Sequence, residues 1–390
     1  MKDIREGVPS ELSFEIGPIR PPSEARSLLL RITRNCPWNK CEFCITYKGK
    51  KFSRRSVEEV KKDIDTIKEI ADFIKEISWR LGSGGVVDER VIRYLLAGDY
   101  NESFLMVAGW LMNGGKTVFL QDANQMVYPT DGLCEILSYL KEKFPQIERI
   151  TTYARSSSIA KRKTVEDLKK MKEAGLTRVH IGLETGDGFL LNYVKKGATP
   201  EDHIDAGKKV MEADLELSEY VILGLGGKKW WVQHAENTAR VLNEISPHFI
   251  RLRTLKVIPG TPLYDKMLSG DWVPQTEDEK IIEEKKLIEN LDCKGSYFVS
   301  DHILNLLEEV EGYIPHDKDR MLSIIDKYLS MSEEMRKNYR LGRRIGIYRY
   351  MEDMEDIELF EKVERYKKGI EERHEGGVDA FIDKVMERFI

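Results

Sequence analysis

The chain has 390 residues, 41% hydrophobic and 9% aromatic, enough to bury a full core and typical of a folded globular protein rather than a disordered or fibrous one. Its 62 basic and 67 acidic residues give a formal net charge of -5, which argues against a dedicated nucleic-acid binder built on a strongly basic face. No apolar run reaches the roughly 18 residues of a membrane span, and the stretch before Ser27 has no apolar leader core, so a cytoplasmic protein is expected.

After an N-terminal extension (1–26), short apolar runs alternate with longer helical patterns, the signature of repeated βα units and a parallel sheet. The strands are expected at 27–34 (SLLLRITR), 117–123, 149–155, 178–185, 218–227 and 249–258. Amphipathic segments such as SVEEVKKDIDTIKEI and TVEDLKKMKEAG lie between them, opening near capping residues and several closing at Gly or Pro. The long connection 71–116 reads as a helical insertion after the first helix, since a structureless loop of that length is unusual in a compact domain. Beyond Tyr264 the strand pattern stops, and 266–390 reads as a charged helical appendage to a barrel domain spanning 27–265.

Three of the five cysteines fall within nine positions, as Cys36, Cys41 and Cys44, with four and then two residues between them. In a reducing compartment such a cluster points to metal rather than disulfides. Three thiolates can hold an iron–sulfur cluster while leaving one iron without a protein ligand, an open position for a cofactor or substrate. The alternative is structural zinc, which needs a fourth ligand brought in by the fold, such as Cys293 or His302. Cys134 sits in a helical pattern and reads as a core residue. The cysteine loop directly follows the first strand, at the end where barrel enzymes place their chemistry.

These residues resemble the radical S-adenosylmethionine (radical SAM) superfamily, and the later strands resemble its coproporphyrinogen-oxidase-like and Elongator-like branches. The resemblance implies a partial (β/α)6 TIM-like barrel. Cys36, Cys41 and Cys44 would hold a [4Fe–4S] cluster whose fourth iron takes SAM, although the common family spacing is three and two, one residue shorter. Phe43 would pack on the adenine. The family's Gly-Gly-Glu stretch is replaced here by LQDANQ, leaving Gln121, Asp122 and Asn124 to receive the methionyl amino group. Arg155 would pair with the SAM carboxylate, the alternative being a surface arginine. Glu184 would contact the ribose, the glycine-rich strand around Gly224 would let backbone approach the adenosine, and Val257 and Ile258 would lie near the adenine.

The implied activity is reductive cleavage of SAM and abstraction of hydrogen from an unidentified, possibly anionic small molecule, in an oxygen-sensitive enzyme. A low-potential electron donor such as flavodoxin or ferredoxin is the implied partner, with neither membrane nor nucleic acid expected. A second reading is a protein that binds SAM and cluster and carries electrons or heme without radical turnover. Along the barrel wall, Arg251 and Arg253 share one face of a strand and would bind a carboxylate or phosphate if that face is internal; otherwise they are solvated. Glu219 is a candidate for proton transfer, with Tyr220 on the opposite face. His180 shares its face with Gly182 and Glu184, as a site residue or a satisfied core histidine. Asp301, His302, His316 and Asp317 lie in the appendage, as a lid or as an ordinary charged surface.

Overall fold

The computed structural model describes residues 12–387. Ten strands form in chain order: β1 Leu28–Arg31, β2 Thr33–Arg34, β3 Ser53–Arg54, β4 Thr117–Gln121, β5 Arg149–Ala154, β6 Arg178–Glu184, β7 Glu216–Leu223, β8 Phe249–Thr254, β9 Ser296–Val299 and β10 Gly312–Ile314. Eight make one sheet in the order β1-β4-β5-β6-β7-β8-β9-β10, while β2 and β3 form a separate antiparallel pair. Helices follow the successive strands, among them Val57–Arg80, Thr130–Lys143, Val165–Glu173, Pro200–Glu212 and Gly227–Ile245. This mainly parallel sheet alternating with helices is the architecture of a partial TIM-like barrel, as expected from the βα pattern.

Local chemistry explains the boundaries. Ser56 with Glu59, Thr164 with Asp167 and Thr276 with Glu279 each form a capping box that satisfies backbone donors at a helix start. The first helix runs on to Arg80, further than its first amphipathic turns suggest. The insertion contributes two more helices, Glu89–Ala97 and Glu102–Met112.

The expectation that strands end near Tyr264 is corrected. β9 lies parallel to β8, and β10 pairs antiparallel with β9. Both are too short, at four and three residues, to display an alternation that a sequence pattern can register.

The described chain resolves into two compact units. The first comprises the chain up to Asn39, Thr46–Ile181 and Lys209–Glu216; the second comprises Lys40–Ile45, Gly182–Lys208 and the chain from Leu217 onward. In the first, Leu28, Leu30, Val118, Leu120 and Ile150 are fully buried strand residues. At the N-terminal ends of its strands sits Glu24, buried and carried by the 3-10 turn Pro22–Glu24. Its carboxylate accepts from Ser27 Oγ (2.5 Å), Thr151 Oγ1 (2.9 Å) and Arg149 Nη2 (3.1 Å), with Arg178 Nη1 at 3.7 Å. In the second unit, Val194, Leu225, Leu255, Leu263 and Trp272 form a buried cluster.

Candidate functional site

The first unit carries Cys36 and the polar residues at the C-terminal ends of β1, β4 and β5. Asp122, just past β4, is fully buried. Its Oδ2 accepts from Arg31 Nε (3.0 Å), Arg31 Nη2 (2.6 Å) and the Asn35 backbone N–H (2.8 Å). Asn35, in the left-handed region at φ 67°, immediately precedes Cys36, so Asp122 fixes the point where the cysteine loop leaves β2. Gln121 turns to the N-terminal extension, accepting from Gly17 N (2.8 Å) and donating to Gly17 O (3.1 Å) and Ile19 O (2.6 Å). A Cβ on residue 17 would fall 2.1 Å from Asp122 Oδ1, so this close approach requires glycine.

Asn124 is also buried, donating from Nδ2 to Ser158 Oγ (2.8 Å) and accepting at Oδ1 from the Arg155 backbone N–H (3.2 Å). It thereby sets the start of the helix Ser156–Arg162. Arg155 is buried rather than a surface arginine, and its guanidinium carbon lies 5.3 Å from the centroid of the Trp38 ring. That contact gives Trp38 a role beyond shaping the loop, which the sequence did not disclose; an aromatic inside a cysteine triplet was its signal.

His180 is fully buried, with Nε2 3.9 Å from Glu24 Oε1 and its ring 5.9 Å from that of Tyr153. It sits with the Glu24 group, the placement of a core histidine. Burial alone would raise the Glu24 pKa, but His180, Ser27, Arg149 and Thr151 hold it down at about 2.

Cys41 and Cys44 belong to the second unit. Glu42, between Cys41 and Phe43, is buried and forms ion pairs with Lys195 Nζ (2.7 Å) and Lys266 Nζ (2.6 Å). Its burial is outweighed by these two ammonium groups, so its pKa is lowered. The Glu42 N–H donates to Val194 O (2.9 Å), and its carbonyl accepts from Leu263 N (3.1 Å). Phe43 packs on the Val194, Leu225, Leu255, Leu263 and Trp272 cluster, as do Ile222 and Val257. The aromatic and the β8-end apolar residue singled out from the sequence are therefore brought together. Ile258 is half-buried at the surface end of the same segment.

Gly224 adopts φ +84°, and its N–H donates to Glu283 Oε1 (2.8 Å). Glu184 also lies in the left-handed region, at φ 64°, and accepts from Lys196 Nζ at 2.5 Å. That lysine, twelve residues on, was missed because nothing in its local pattern marks it.

β7 and β8 pair in register, Glu219 with Ile250 and Tyr220 with Arg251. Alternation therefore puts Glu219 on the face of the buried Ile250 and Leu252, and Arg251 and Arg253 on the other face with Tyr220. Glu219 is fully buried with no hydrogen-bond partner on either carboxylate oxygen. Desolvation, reinforced by Glu184 and opposed by Lys196, pushes its pKa well above the usual carboxylate range.

Arg251 Nη1 reaches Asp301 Oδ2 at 3.2 Å and Arg253 Nη1 reaches Asp301 Oδ1 at 3.3 Å. The two guanidiniums stack over Phe249 (5.1 Å) and Tyr220 (4.7 Å). Beside them His302 is pushed down to about 4 by burial and by Arg253, which leaves it neutral at pH 7. Of the four polar residues noted in the appendage, Asp301 joins the arginines, whereas the exposed His316 pairs with its neighbour Asp317. Glu219 and Arg253 thus stand on opposite strand faces, and His180 stands with Glu24.

None of the five cysteines forms a disulfide; Cys41 is buried and Cys36 and Cys44 are half-buried. The Asn39 N–H donates to Cys36 Sγ (3.4 Å). Among the described residues, no three His, Cys, Asp or Glu side chains gather around a single-ion position.

The Radical SAM superfamily model matches residues 101–242, which holds β4 to β7; the cysteine loop precedes the matched span. Residues 101–242 thus carry a domain similar to that of the radical SAM superfamily. It is 23% identical over 272 residues to a tRNA uridine(34) acetyltransferase of Methanocaldococcus jannaschii, covering 63% of this chain and 45% of that protein. It is 35% identical over 133 residues to a biotin synthase of Clostridium botulinum, covering 34% of this chain and 38% of that protein. The chain thus spans less than half the length of either relative. Coproporphyrinogen III oxidase from Escherichia coli aligns in structure over 67% of this chain and 51% of its own, at 13% identity and a TM-score of 0.44, a likeness too loose to assign anything. No helix among the described residues is long and apolar enough to cross a membrane.

Proposed function

We propose that this protein is a cytoplasmic radical SAM enzyme acting on a small molecule that carries a carboxylate or phosphate, and that Arg251 and Arg253 bind that group. The observation that supports this reading is the arginine pair on one face of β8, two guanidiniums sharing the single carboxylate of Asp301 with a neutral His302 beside them. One positive charge is left over for an anion, and planar guanidiniums match carboxylate and phosphate geometry. In this reading Cys36, Cys41 and Cys44 hold the [4Fe–4S] cluster, and Phe43, Arg155, Glu184, Gly224 and Ile258 contact SAM. Asp122 and Asn124 position the cysteine loop and Arg155. When bound, cluster and SAM supply a 5′-deoxyadenosyl radical that takes hydrogen from the substrate. Barrel domain 27–265 and appendage 266–390 remain the proposed division, with Asp301 as the appendage's contribution to the substrate site.

The test is anaerobic reconstitution with iron and sulfide, followed by SAM and dithionite. The expected result is 5′-deoxyadenosine, produced faster when a carboxylate or phosphate substrate is present. A protein that binds cluster and SAM yet forms none across a panel of such substrates is a carrier, not an enzyme. Cys41→Ala should lose the brown cluster absorbance, and full iron content in that variant refutes the ligand assignment. Arg253→Gln should raise KM for the anionic substrate roughly 30-fold or more, the loss of one charge-assisted contact, while leaving uncoupled 5′-deoxyadenosine formation in place.

A further inference from the structure

We infer that the cavity beside Gly224, walled by Leu255, Met267 and Trp272 and carrying Gln275 and Lys280, binds a free α-amino acid with an apolar side chain. The inference does not depend on the function proposed above and adds a second site to it. The cavity measures about 340 Å³, at the small end of the range for small-molecule sites. Leu255 and Trp272 belong to the buried apolar cluster of the second unit, and Met267 packs against it. The indole N–H of Trp272 is spent on Leu225 O (3.2 Å), so this wall offers apolar surface to a hydrocarbon side chain. The flexible thioether of Met267 can adapt to the shape of that side chain.

Lys280, on the helix Glu277–Asn290, is the group that calls for an anion. Its stem runs along Gly224, which sits at φ +84° and where a Cβ would stand 3.1 Å from Lys280 Cε. Its ammonium donates to Leu255 O at 3.4 Å and joins no ion pair among the described residues. The acids around it are already taken: Glu277 is bound by Arg344 Nη2 (2.5 Å) and Asp383 by Lys256 Nζ (2.9 Å). Burial lowers the Lys280 pKa, and Glu277 and Asp383, offset by Arg344 and Lys256, do not restore it. The carboxylate of a ligand supplies the partner that this ammonium lacks.

The other end of the ligand meets acceptors. Gln275 is 6% exposed and donates from Nε2 to Glu279 O (3.3 Å), while its Oε1 is buried without a hydrogen-bond partner. Leaving a buried acceptor unpaired is costly, and an ammonium N–H satisfies it. Exposed Glu387 stands at the edge of the same cavity. Among the lining side chains Lys256 and Lys280 balance Asp383 and Glu387, so their charge sums to zero and matches a zwitterion rather than a phosphate or a simple carboxylate. Of the residues read above as SAM contacts only Gly224 is shared, and the Lys280 stem covers it on the side where a Cβ would project. Lys280 and Asp383 come from helices beyond the barrel domain, Glu277–Asn290 and Gly377–Met386.

The experiment titrates the reconstituted full-length protein with L-leucine and L-phenylalanine by calorimetry, with and without saturating SAM. At least one of them is expected to bind saturably, within about threefold in the two conditions and roughly tenfold or more above its des-amino acid, isocaproate or hydrocinnamate. Lys280→Met keeps the stem and should weaken binding by roughly tenfold or more, and Gln275→Leu by about three- to tenfold. Arg253→Gln, at the proposed substrate position on β8, should leave the affinity unchanged. Unchanged melting temperatures establish that the variants fold; if Lys280→Met does not, Gln275→Leu and the des-amino comparison decide. Absence of binding by both amino acids, equal binding of the des-amino acid, wild-type affinity in the folded cavity variants, or loss of binding in saturating SAM or in Arg253→Gln overturns the inference. Failure of wild type to cleave SAM counts instead against the function proposed above, and the titration still decides this site.

Discussion

Glu24 and Glu219 are both completely buried glutamates, yet their pKa values are moved in opposite directions. Glu24 sits at the N-terminal ends of the first unit's strands among two hydroxyls, His180 and two arginines, and is held ionised with a pKa of about 2. Glu219, on β7 of the second unit, has no hydrogen-bond partner on either oxygen, and desolvation pushes its pKa well above the usual carboxylate range. Burial is common to both, so burial alone does not set the direction. The number of donors within reach does.

The sharpest way to break the comparison is to remove the ionised member. Glu24→Ala takes the buried carboxylate away from Arg149, Ser27 and Thr151, while Arg178 keeps its pair with Glu216, and should cost about 3–5 kcal/mol in chemical denaturation. A loss under about 1 kcal/mol would mean that the network is ornamental.

Acid titration comes next. The folded-state pKa of Glu24 lies below the ordinary 4.5, so its stabilisation is present above pH 4.5 and is lost as pH falls toward about 2. The loss should be of the order of 2–3 kcal/mol, and Glu24→Gln should flatten that limb of the stability curve.

Glu219→Gln should have the smallest effect, within about 1 kcal/mol of wild type at pH 4, where the acid is neutral in both folded and unfolded chains. The folded pKa of Glu219 is raised, so its contribution is fully present below the ordinary carboxylate value and is lost as pH rises through the folded one. The difference should therefore move in favour of glutamine as pH climbs from 4.5. A parallel pH dependence in variant and wild type would show that Glu219 is ionised in the fold.

The same contrast governs what could be read in the sequence. The strands starting near Leu28, Thr117, Arg149, Arg178, Glu216 and Phe249 were legible because apolar runs bounded by capping and turn residues are local signals. The cysteine triplet was legible for the same reason, as was the shared face of Arg251 and Arg253, which follows from alternation along one strand. β9 and β10 were not legible, being too short for a pattern. The roles of Asp122 and Asn124 were also hidden. As polar residues at a strand end they read as cofactor contacts, yet their bonds go to Arg31, Asn35, Ser158 and Arg155, partners 31 to 91 positions away.

By itself the sequence determined the alternation of strands and helices, the placing of three thiols beyond the first strand, and the superfamily to which they point. All of these are set by residues a few positions apart. Only the tertiary structure decided in which direction each buried carboxylate's pKa moves, that Arg251 and Arg253 share Asp301, and that Phe189, Tyr193 and Trp230 pack ring against ring. Each of those depends on donors, acceptors and rings brought together across long stretches of chain. Glu24 and Thr151 meet over 127 residues, a distance at which no periodicity survives.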